Sequence, residues 1–211
     1  MAQVRRRPNR YFHTSPWTWL GLMGLGALLV IVGFFVLRSN RQPIQSGPQF
    51  PTHFRPRLVT SGKPALIARG HRLTVVMLMA SWCLYCAYED KYVWPHIVRS
   101  FPGVQIDIID ISSKGGIGVP GPRHPAFTGH DNVGPTITIA GMRKTMVTYR
   151  QQFGLKNRAV DVYVDPTAGG YWHVTSFPTL LFVNPAGRVV NRTNGALPYP
   201  QMAALISSLE R

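Results

Sequence analysis

Apolar residues along the chain form one long run near the N-terminus and a series of shorter runs after residue 64. The long run, Trp17–Leu37, has 21 residues and contains neither a charged residue nor a proline. A helix of that length rises about 30 Å, which is the thickness of the hydrocarbon core of a bilayer. We therefore predict one transmembrane helix at residues 17–37.

Basic residues around this run predict its orientation. Four arginines lie in residues 1–16, whereas Arg38 and Arg41 are the two that follow the run directly. Because arginine and lysine accumulate on the cytoplasmic side of a membrane, residues 1–16 are expected to be a cytoplasmic tail and the rest to lie outside the cytoplasm. A cleaved signal peptide is the alternative, but its apolar region is shorter and a small-residue cleavage site follows it. Leu37–Arg41 offers no such site.

The shorter apolar runs predict strands that alternate with helices. Strands are predicted at 73–80, 104–111, 159–164, 179–183 and 188–190. Helices are predicted at 83–100, 144–153 and 201–209, and Pro95 is expected to kink or end the first of them. Strands that alternate with helices and end in a hairpin predict an α/β/α sandwich around a mixed sheet.

Two segments without periodicity interrupt this pattern. Residues 38–63 are rich in Pro, Ser, Gln and Arg and are interpreted as a linker, so the folded domain is expected at 64–211. Residues 112–141 contain seven glycines and four prolines and are longer than an ordinary connection. We interpret them as either an insertion near the functional site or a mobile loop.

Charge is unevenly distributed along the chain. The formal net charge is +15, and residues 1–41 hold six arginines without any acidic residue. The remaining basic residues are scattered, whereas a nucleic-acid site requires a basic cluster with aromatic or motif context. No nucleic-acid partner is therefore expected, and the basic surface is interpreted as solvated or close to anionic lipid headgroups.

The only two cysteines of the sequence, Cys83 and Cys86, follow the first predicted strand directly. With two residues between them, both sulfur atoms can lie at the start of one helix and form or break a disulfide. A helix N-terminus stabilises a thiolate, so Cys83 is the expected nucleophile and Cys86 the residue that resolves a mixed disulfide. A permanent structural disulfide is the alternative, although so small a ring adds little stability.

Metal and cofactor sites have weaker support in the sequence. The two thiolates could bind a soft metal together with His96 or His173, but neither histidine has ligand spacing to the cysteines. Covalent haem attachment requires a histidine directly after the second cysteine, where this chain has Ala87. We expect neither a bound metal nor a resident cofactor.

Two motifs of the chain resemble the thioredoxin superfamily. The first is Ala80-Ser81-Trp82-Cys83 followed by the Cys-x-x-Cys spacing, and the second is Val174–Thr179, in which an apolar residue, a proline and a threonine open a hairpin. Together with the N-terminal apolar run, they are most similar to membrane-anchored extracytoplasmic members of the TlpA/ResA type. The resemblance covers residues 64–211 in outline.

This resemblance implies roles for individual residues. Pro178 would be a cis proline that faces the dithiol, and Phe177 would pair its backbone with the substrate chain, beside Trp82 and Thr179. Glu89 lies three residues after the second cysteine, where such proteins often have a glutamate. Its carboxylate either exchanges a proton with the dithiol, raises a cysteine pKa, or is a solvent-facing acid of the helix.

Three positions depart from cytosolic thioredoxins. Met77 stands where those proteins have a buried aspartate, and Lys91 stands where they commonly have a proline. The dipeptide Leu84-Tyr85 between the cysteines is neither Gly-Pro nor Pro-His. These departures leave the direction of electron flow open.

The resemblance implies a membrane-anchored thiol-disulfide oxidoreductase that exchanges disulfides with extracytoplasmic proteins, in the first place as a reductant. Expected partners are protein thiols and disulfides, including those of apocytochromes, and a membrane or extracytoplasmic redox protein. An oxidative folding factor with the same fold is one alternative. A copper chaperone that uses both thiolates as ligands, and a binding module with a structural disulfide, are the others.

Overall fold

The fold is described by a computed structural model that covers residues 47–67 and 70–210. The expected cytoplasmic tail, the expected transmembrane helix at 17–37 and the first part of the expected linker lie outside these residues. Within the covered ranges, no helix is both long and apolar enough to cross a membrane.

Six strands and five helices occur in the described residues. In chain order they are β1 (Arg57–Leu58), β2 (Leu73–Met79), α1 (Leu84–Tyr92), α2 (Trp94–Ser100), β3 (Val104–Asp110), α3 (Ile139–Gln152), β4 (Val160–Val164), α4 (Ala168–Tyr171), β5 (Thr179–Val183), β6 (Val189–Asn194) and α5 (Tyr199–Leu209). Every strand and helix predicted after residue 64 is present, with bounds shifted by a few residues. The short β1 and α4 were not predicted, because neither is long enough to show a period.

A mixed sheet in the order β1-β4-β3-β2-β5-β6 forms the centre of the fold. Strand β3 is parallel to both β2 and β4, whereas β5 is antiparallel to both β2 and β6. All residues of β2 and β3 are buried. The nearly continuous apolar sequence of β2 fits this central position, where both faces of the strand are covered. The predicted mixed sheet is confirmed.

The segment predicted as one helix after the cysteines is divided at Val93 into α1 and α2. Pro95 lies in the first turn of α2, where its missing N–H is tolerated because the first N–H groups of a helix have no intrahelical partner. Within a continuous helix the same proline would clash with the preceding turn. At the start of α2, the indole N–H of Trp94 donates to the sulfur of Met77 at 3.3 Å, which joins this helix break to β2.

The two faces of the sheet are covered by different kinds of structure. Alternate residues of each strand point to opposite faces, and helices α1, α2, α3 and α5 pack on the face that includes both cysteines. The opposite face is covered by the segment before β2 and by α4. The large side chains that cover it are Phe50, Phe54, Ile67 and Trp172.

The expected linker at 38–63 is part of the domain over its described residues, 47–63. The Phe50 N–H donates to the Gly187 carbonyl at 2.7 Å, and the Phe50 ring stacks on Trp172 at a centroid distance of 5.0 Å. Strand β1 pairs with β4. The segment follows an irregular path and buries isolated apolar side chains between prolines, so its sequence shows no period that would have predicted a packed structure.

The glycine-rich segment after β3 forms an irregular antiparallel ribbon, which we define as residues 112–138. Bridges join Lys114 to Thr136 and Val119 to His130. A Cβ atom on Gly129 would lie 1.7 Å from the Val119 carbonyl oxygen, so the two sides of the ribbon approach at a distance that only glycine allows. Helix α3 then begins at Ile139, two residues before the expected end of the loop.

We predict that Phe50→Ala lowers the free energy of unfolding of the full chain by about 3–5 kcal/mol, because it leaves a cavity between the segment and the sheet. Phe50 is 1% exposed, whereas Leu66, which lies three residues after this segment, is 53% exposed. Urea unfolding followed by circular dichroism measures the difference, and Leu66→Ala serves as the control with a change within about 0.5 kcal/mol. Equal, small effects of both substitutions would show that residues 47–63 do not contribute to the stability of the domain.

Candidate active site

Cys83 lies at the junction between the central strand β2 and helix α1. It is the N-cap residue of α1, with an extended backbone (φ −80°, ψ 128°) and no side-chain capping hydrogen bond. Cys83 and Cys86 are free thiols, and their side chains are 3% and 0% exposed. Because Cys83 follows the strand closely, its thiol lies at the helix N-terminus, where the first N–H groups have no backbone partner.

The two cysteines have opposite electrostatic environments. The pKa of Cys83 is lowered, chiefly by a hydrogen bond from the Cys86 thiol and further by the backbone N–H groups of Cys86 and Tyr85, against the effects of burial and of the Asp131 charge. Burial raises the pKa of Cys86 well above its usual value. Since the thiolate is the attacking species, Cys83 is suited to act as the nucleophile. Cys86 is suited to stay protonated until a later step.

The segment that ends at Pro178 lies against Cys83. The peptide bond between Phe177 and Pro178 is cis, as the resemblance implied. The Cys83 sulfur lies 3.9 Å from the Phe177 carbonyl oxygen, and the Phe177 ring meets Trp82 edge to face at 5.7 Å. Three of the four residues expected at the substrate-binding surface are thus adjacent to the dithiol.

Thr179, the fourth expected binding residue, is fully buried as the first residue of β5. Its hydroxyl group donates to the Ser176 carbonyl at 2.9 Å, and its Cα pairs with Leu78 across the sheet. Its position therefore fixes the turn that carries Phe177 and Pro178.

Glu89 is buried on the dithiol side of the sheet, so the interpretation of this residue as a solvent-facing acid is wrong. Its Oε1 atom accepts a hydrogen bond from the Leu197 N–H at 2.8 Å, and its Oε2 atom has no partner among the described residues. Burial raises the pKa of Glu89 well above its usual value, and the charges of Asp90 and Cys83 add to the effect. Burial of this kind favours the protonated form of the carboxyl group.

Asp90 is a second buried carboxyl group on α1. It follows Cys86 by four residues, so the two side chains lie on the same face of the helix. The hydroxyl group of the buried Tyr149 on α3 donates to it, and burial raises the pKa of Asp90 to about 8. Sequence analysis missed this residue, although its spacing from Cys86 was the signal that could have identified it.

A third buried carboxyl group, Asp110, ends β3 next to the same site. The Ser112 N–H donates to its Oδ1 atom at 3.1 Å, and burial raises the pKa of Asp110 to about 7. Asp110 pairs with Met79 in the sheet, which places it at the same end of the sheet as the cysteines. The site therefore combines two thiols with three carboxyl groups that resist ionisation.

The ribbon of residues 112–138 packs directly on the strand-to-helix junction. The Gly118 N–H donates to the Ser81 carbonyl at 2.9 Å, and the Asn132 N–H donates to the Trp82 carbonyl at 3.0 Å. A Cβ atom on Gly118 would lie 2.5 Å from the Cys83 carbonyl oxygen, so glycine is required at this contact. The glycine-rich segment therefore lies beside the site.

Aromatic residues of α1 fix the far side of the ribbon. The Phe127 ring contacts Tyr88 at a centroid distance of 4.4 Å and Tyr85 at 5.4 Å. The hydroxyl groups of Tyr88 and Tyr92 donate to backbone carbonyls of the ribbon at 3.2 and 2.9 Å. The same helix thus presents the dithiol on its first turn and holds the ribbon with its aromatic side chains.

Metal-ligating side chains do not gather around the thiols in the part of the chain that the structure describes. No group of three or more His, Cys, Asp or Glu side chains there has the arrangement of a metal site. His96, one of the two histidines considered as an additional ligand, lies on α2, where its Nδ1 atom is 3.0 Å from the Arg99 guanidinium.

The family is decided by the match between the sequence and known domains. A family model of the thioredoxin-like domain matches residues 65–210, which is more than half of the chain. The chain belongs to the thioredoxin-like family. No curated protein matches the sequence.

Several solved structures share the fold of this thioredoxin-like protein. One is a Chlorobium tepidum protein assigned as the thiol:disulfide interchange protein DsbE, with a TM-score of 0.54, 13% identity, and 79% of this chain and 99% of that chain covered. MTB DsbF has a TM-score of 0.52 and 17% identity, with coverages of 75% and 96%. A thiol-disulfide isomerase from Corynebacterium glutamicum has a TM-score of 0.50 and 16% identity, with coverages of 77% and 96%. At these identities the likeness shows a shared fold.

We predict that Asp110→Asn changes the pH dependence of stability. Because the pKa of Asp110 is raised from 3.8 to about 7 in the folded protein, its contribution to stability is complete below about pH 4 and is lost as the pH rises to about 7 and above. The free energy of unfolding of the variant, relative to the original protein, should therefore rise between about pH 4 and about pH 8. Urea unfolding across this range measures it, and a difference that does not change with pH would contradict the prediction.

Proposed function

We propose that the protein is a thiol-disulfide oxidoreductase that exchanges disulfides with other proteins through Cys83 and Cys86. The observation that carries this proposal is the position of Cys83. It is a free thiol with a lowered pKa, at the start of α1, 3.9 Å from the carbonyl that precedes the cis Pro178. Cys86 lies one turn later with a raised pKa, which gives the pair an attacking and a resolving member.

The exchange proceeds in two balanced steps. In the first, the Cys83 thiolate attacks one sulfur of a partner disulfide, and the other partner sulfur leaves as a thiolate that takes up a proton from solvent. In the second, Cys86 loses its proton and attacks the Cys83 sulfur of the mixed disulfide, which releases the partner's remaining thiolate. The partner gains two electrons, and Cys83 and Cys86 become a disulfide that another redox protein must reduce.

The substrate chain is proposed to lie along Phe177 and Trp82. The Phe177 carbonyl faces the Cys83 sulfur, so an extended substrate segment that pairs with the Phe177 backbone would bring its own sulfur next to the nucleophile. The partly buried rings of Phe177 and Trp82 form an apolar surface beside it. Pro178 has no N–H to donate, which leaves this side of the segment free for the substrate.

Glu89 is proposed to exchange the proton of the resolving cysteine. It follows Cys86 by three residues and so lies on the same side of α1. Its buried carboxyl group has one oxygen without a hydrogen-bond partner in the described region. When ionised, it can accept the proton of Cys86 in the resolving step. When protonated, it can return that proton when the disulfide is reduced.

The location and direction of the reaction are proposed from the sequence. The apolar run at 17–37 would anchor the protein in the cell membrane, with residues 1–16 in the cytoplasm and the thioredoxin-like domain outside it. Resemblance to TlpA/ResA-type proteins supports reduction of exported protein thiols, including those of apocytochromes, with electrons from a membrane or extracytoplasmic redox partner.

We predict that Cys86→Ser traps a mixed disulfide with a partner protein and that Cys83→Ser does not. Cys83→Ser should abolish reduction of a disulfide-containing protein, because the nucleophile is lost. Cys86→Ser should accumulate a mixed disulfide between Cys83 and the partner, because resolution is lost. Non-reducing electrophoresis with mass spectrometry identifies the trapped partners, and the variants serve as controls for each other. Trapping by neither variant, or equally by both, would contradict disulfide exchange.

The reduction potential of the Cys83–Cys86 pair distinguishes a reductant from an oxidative folding factor. Titration of the full chain against glutathione buffers, read out by alkylation of the free thiols, should give a potential below about −200 mV for a reductant. A value near −120 mV, roughly that of strong oxidants, would overturn the proposed direction and leave disulfide exchange intact.

We predict that Glu89→Gln slows the resolving step by about tenfold or more, because glutamine cannot accept a proton. In the original protein the rate of release from the mixed disulfide should rise with pH as Glu89 ionises, and this rise should be absent from the variant. Single-turnover measurements across the pH range test this, with Glu210→Gln as a matched control on the C-terminal residues. A slower rate with an unchanged pH profile would assign Glu89 a purely structural role.

A further inference from the structure

The ribbon packs on the strand-to-helix junction that carries the sulfur on which the proposed exchange depends. Cys83 is only 3% exposed, although a partner sulfur must come within bonding distance of it. The ribbon holds the junction by two backbone hydrogen bonds, from Gly118 to Ser81 and from Asn132 to Trp82. A third contact involves a side chain, because the Leu84 N–H donates to the Asp131 Oδ1 atom at 2.8 Å.

Asp131 takes the place of an N-terminal cap for α1. The residue at the N-cap, Cys83, makes no side-chain capping bond, and Leu84 is the first helical residue. A carboxylate at this position satisfies one N–H group that would otherwise lack a partner and interacts favourably with the helix dipole. The cap therefore comes from a residue 47 positions later in the chain, and it also fastens the ribbon to the helix.

This cap competes with the Cys83 thiolate for the same helix end. The N–H groups of Tyr85 and Cys86 stabilise the thiolate, while Leu84 N–H is occupied by Asp131. Two negative charges at one helix N-terminus repel each other, and the Asp131 charge raises the pKa of Cys83 against the other effects.

Asp110, at the end of β3, is a buried carboxyl group next to the site. Besides Asp131, the titratable groups that interact with Cys83 are Cys86, Glu89 and Asp90 on α1 and Tyr149 on α3. Burial raises the pKa of each of these four groups, so they favour their uncharged forms. Asp131 is exposed on the ribbon and differs from them in this respect.

We propose that Asp131 is a positioning residue that closes the ribbon over Cys83 while its sulfur is uncharged, and that the thiolate charge weakens this closure. This proposal rests on the proposed function, because it concerns access to the same nucleophile. Coupling between two sites is reciprocal. The free energy by which the Asp131 charge disfavours ionisation of the Cys83 thiol equals the free energy by which the Cys83 thiolate weakens the contact of Asp131 with the helix. The ribbon therefore opens most readily in the state that attacks a partner disulfide.

Two substitutions separate the charge of Asp131 from its hydrogen bond. Asp131→Asn keeps an oxygen that can accept from Leu84 N–H and removes the charge, whereas Asp131→Ala removes both. The readout is the rate of iodoacetamide alkylation of Cys83 in the reduced full chain, measured by mass spectrometry between about pH 5 and about pH 10.

For Asp131→Asn we expect the alkylation midpoint to move to lower pH and the rate near pH 6 to rise at least about threefold. For Asp131→Ala we expect the limiting rate at high pH to rise as well, because the ribbon no longer closes. Added salt should lower the midpoint of the original protein and affect Asp131→Asn less, since salt screens an exposed charge. Unfolding is distinguished by the midpoint, because it would raise the alkylation midpoint of Cys83 towards that of an ordinary thiol and expose the buried Cys86 to the reagent as well.

Asp161→Asn is the matched control, because Asp161 lies near the start of β4, whereas the cysteines follow the opposite end of β2, a strand that runs in the same direction two positions away in the sheet. An unchanged midpoint in Asp131→Asn, or an equal shift in the control, would overturn the charge effect. An unchanged limiting rate in Asp131→Ala would overturn closure by this residue. Alkylation needs no partner protein, so these outcomes are independent of whether Cys86→Ser traps a substrate.

Discussion

The first turn of α1 carries backbone N–H groups that no helical carbonyl can satisfy, and the chemistry of the site is arranged around them. The central strand β2 is buried on both faces and ends next to this turn, which fixes the position of the helix start with respect to the sheet. Cys83 uses two of the N–H groups to stabilise its thiolate, and Asp131 uses the one at Leu84. The same few donors thus serve both the nucleophile and the ribbon that packs on the junction.

Burial of three carboxyl groups beside the thiols is unfavourable for their ionised forms. Glu89, Asp90 and Asp110 come from α1 and from the end of β3, and each is buried. Their hydrogen bonds to Leu197, Tyr149 and Ser112 offset part of the cost. A fold that keeps such groups near its reactive centre gives up stability at neutral pH, which is a common feature of sites selected for chemistry.

The parts of the fold that sequence analysis predicted are those with strong local signals. The apolar run of β2, the Cys-x-x-Cys spacing and the effect of Pro95 on the helix each depend on neighbouring residues, and the structure has all three. The cis Pro178 was expected through a resemblance, because nothing local distinguishes it from a trans proline. Residues 47–63 and the ribbon have irregular backbones, so neither shows a helical or strand period. Asp131 acts on a residue 47 positions away, and no local pattern connects the two.

The contact between Gly118 and the Cys83 carbonyl limits how sequences with this ribbon can vary. Any other residue at this position would place a Cβ atom 2.5 Å from that oxygen, so a relative with a larger residue must route the segment elsewhere. A glycine placed to meet the Cys83 backbone, followed by an aspartate 13 positions later, is therefore a sequence marker for a ribbon that packs on the start of the helix in this way. Relatives that lack both residues would be expected to route this segment away from the strand-to-helix junction.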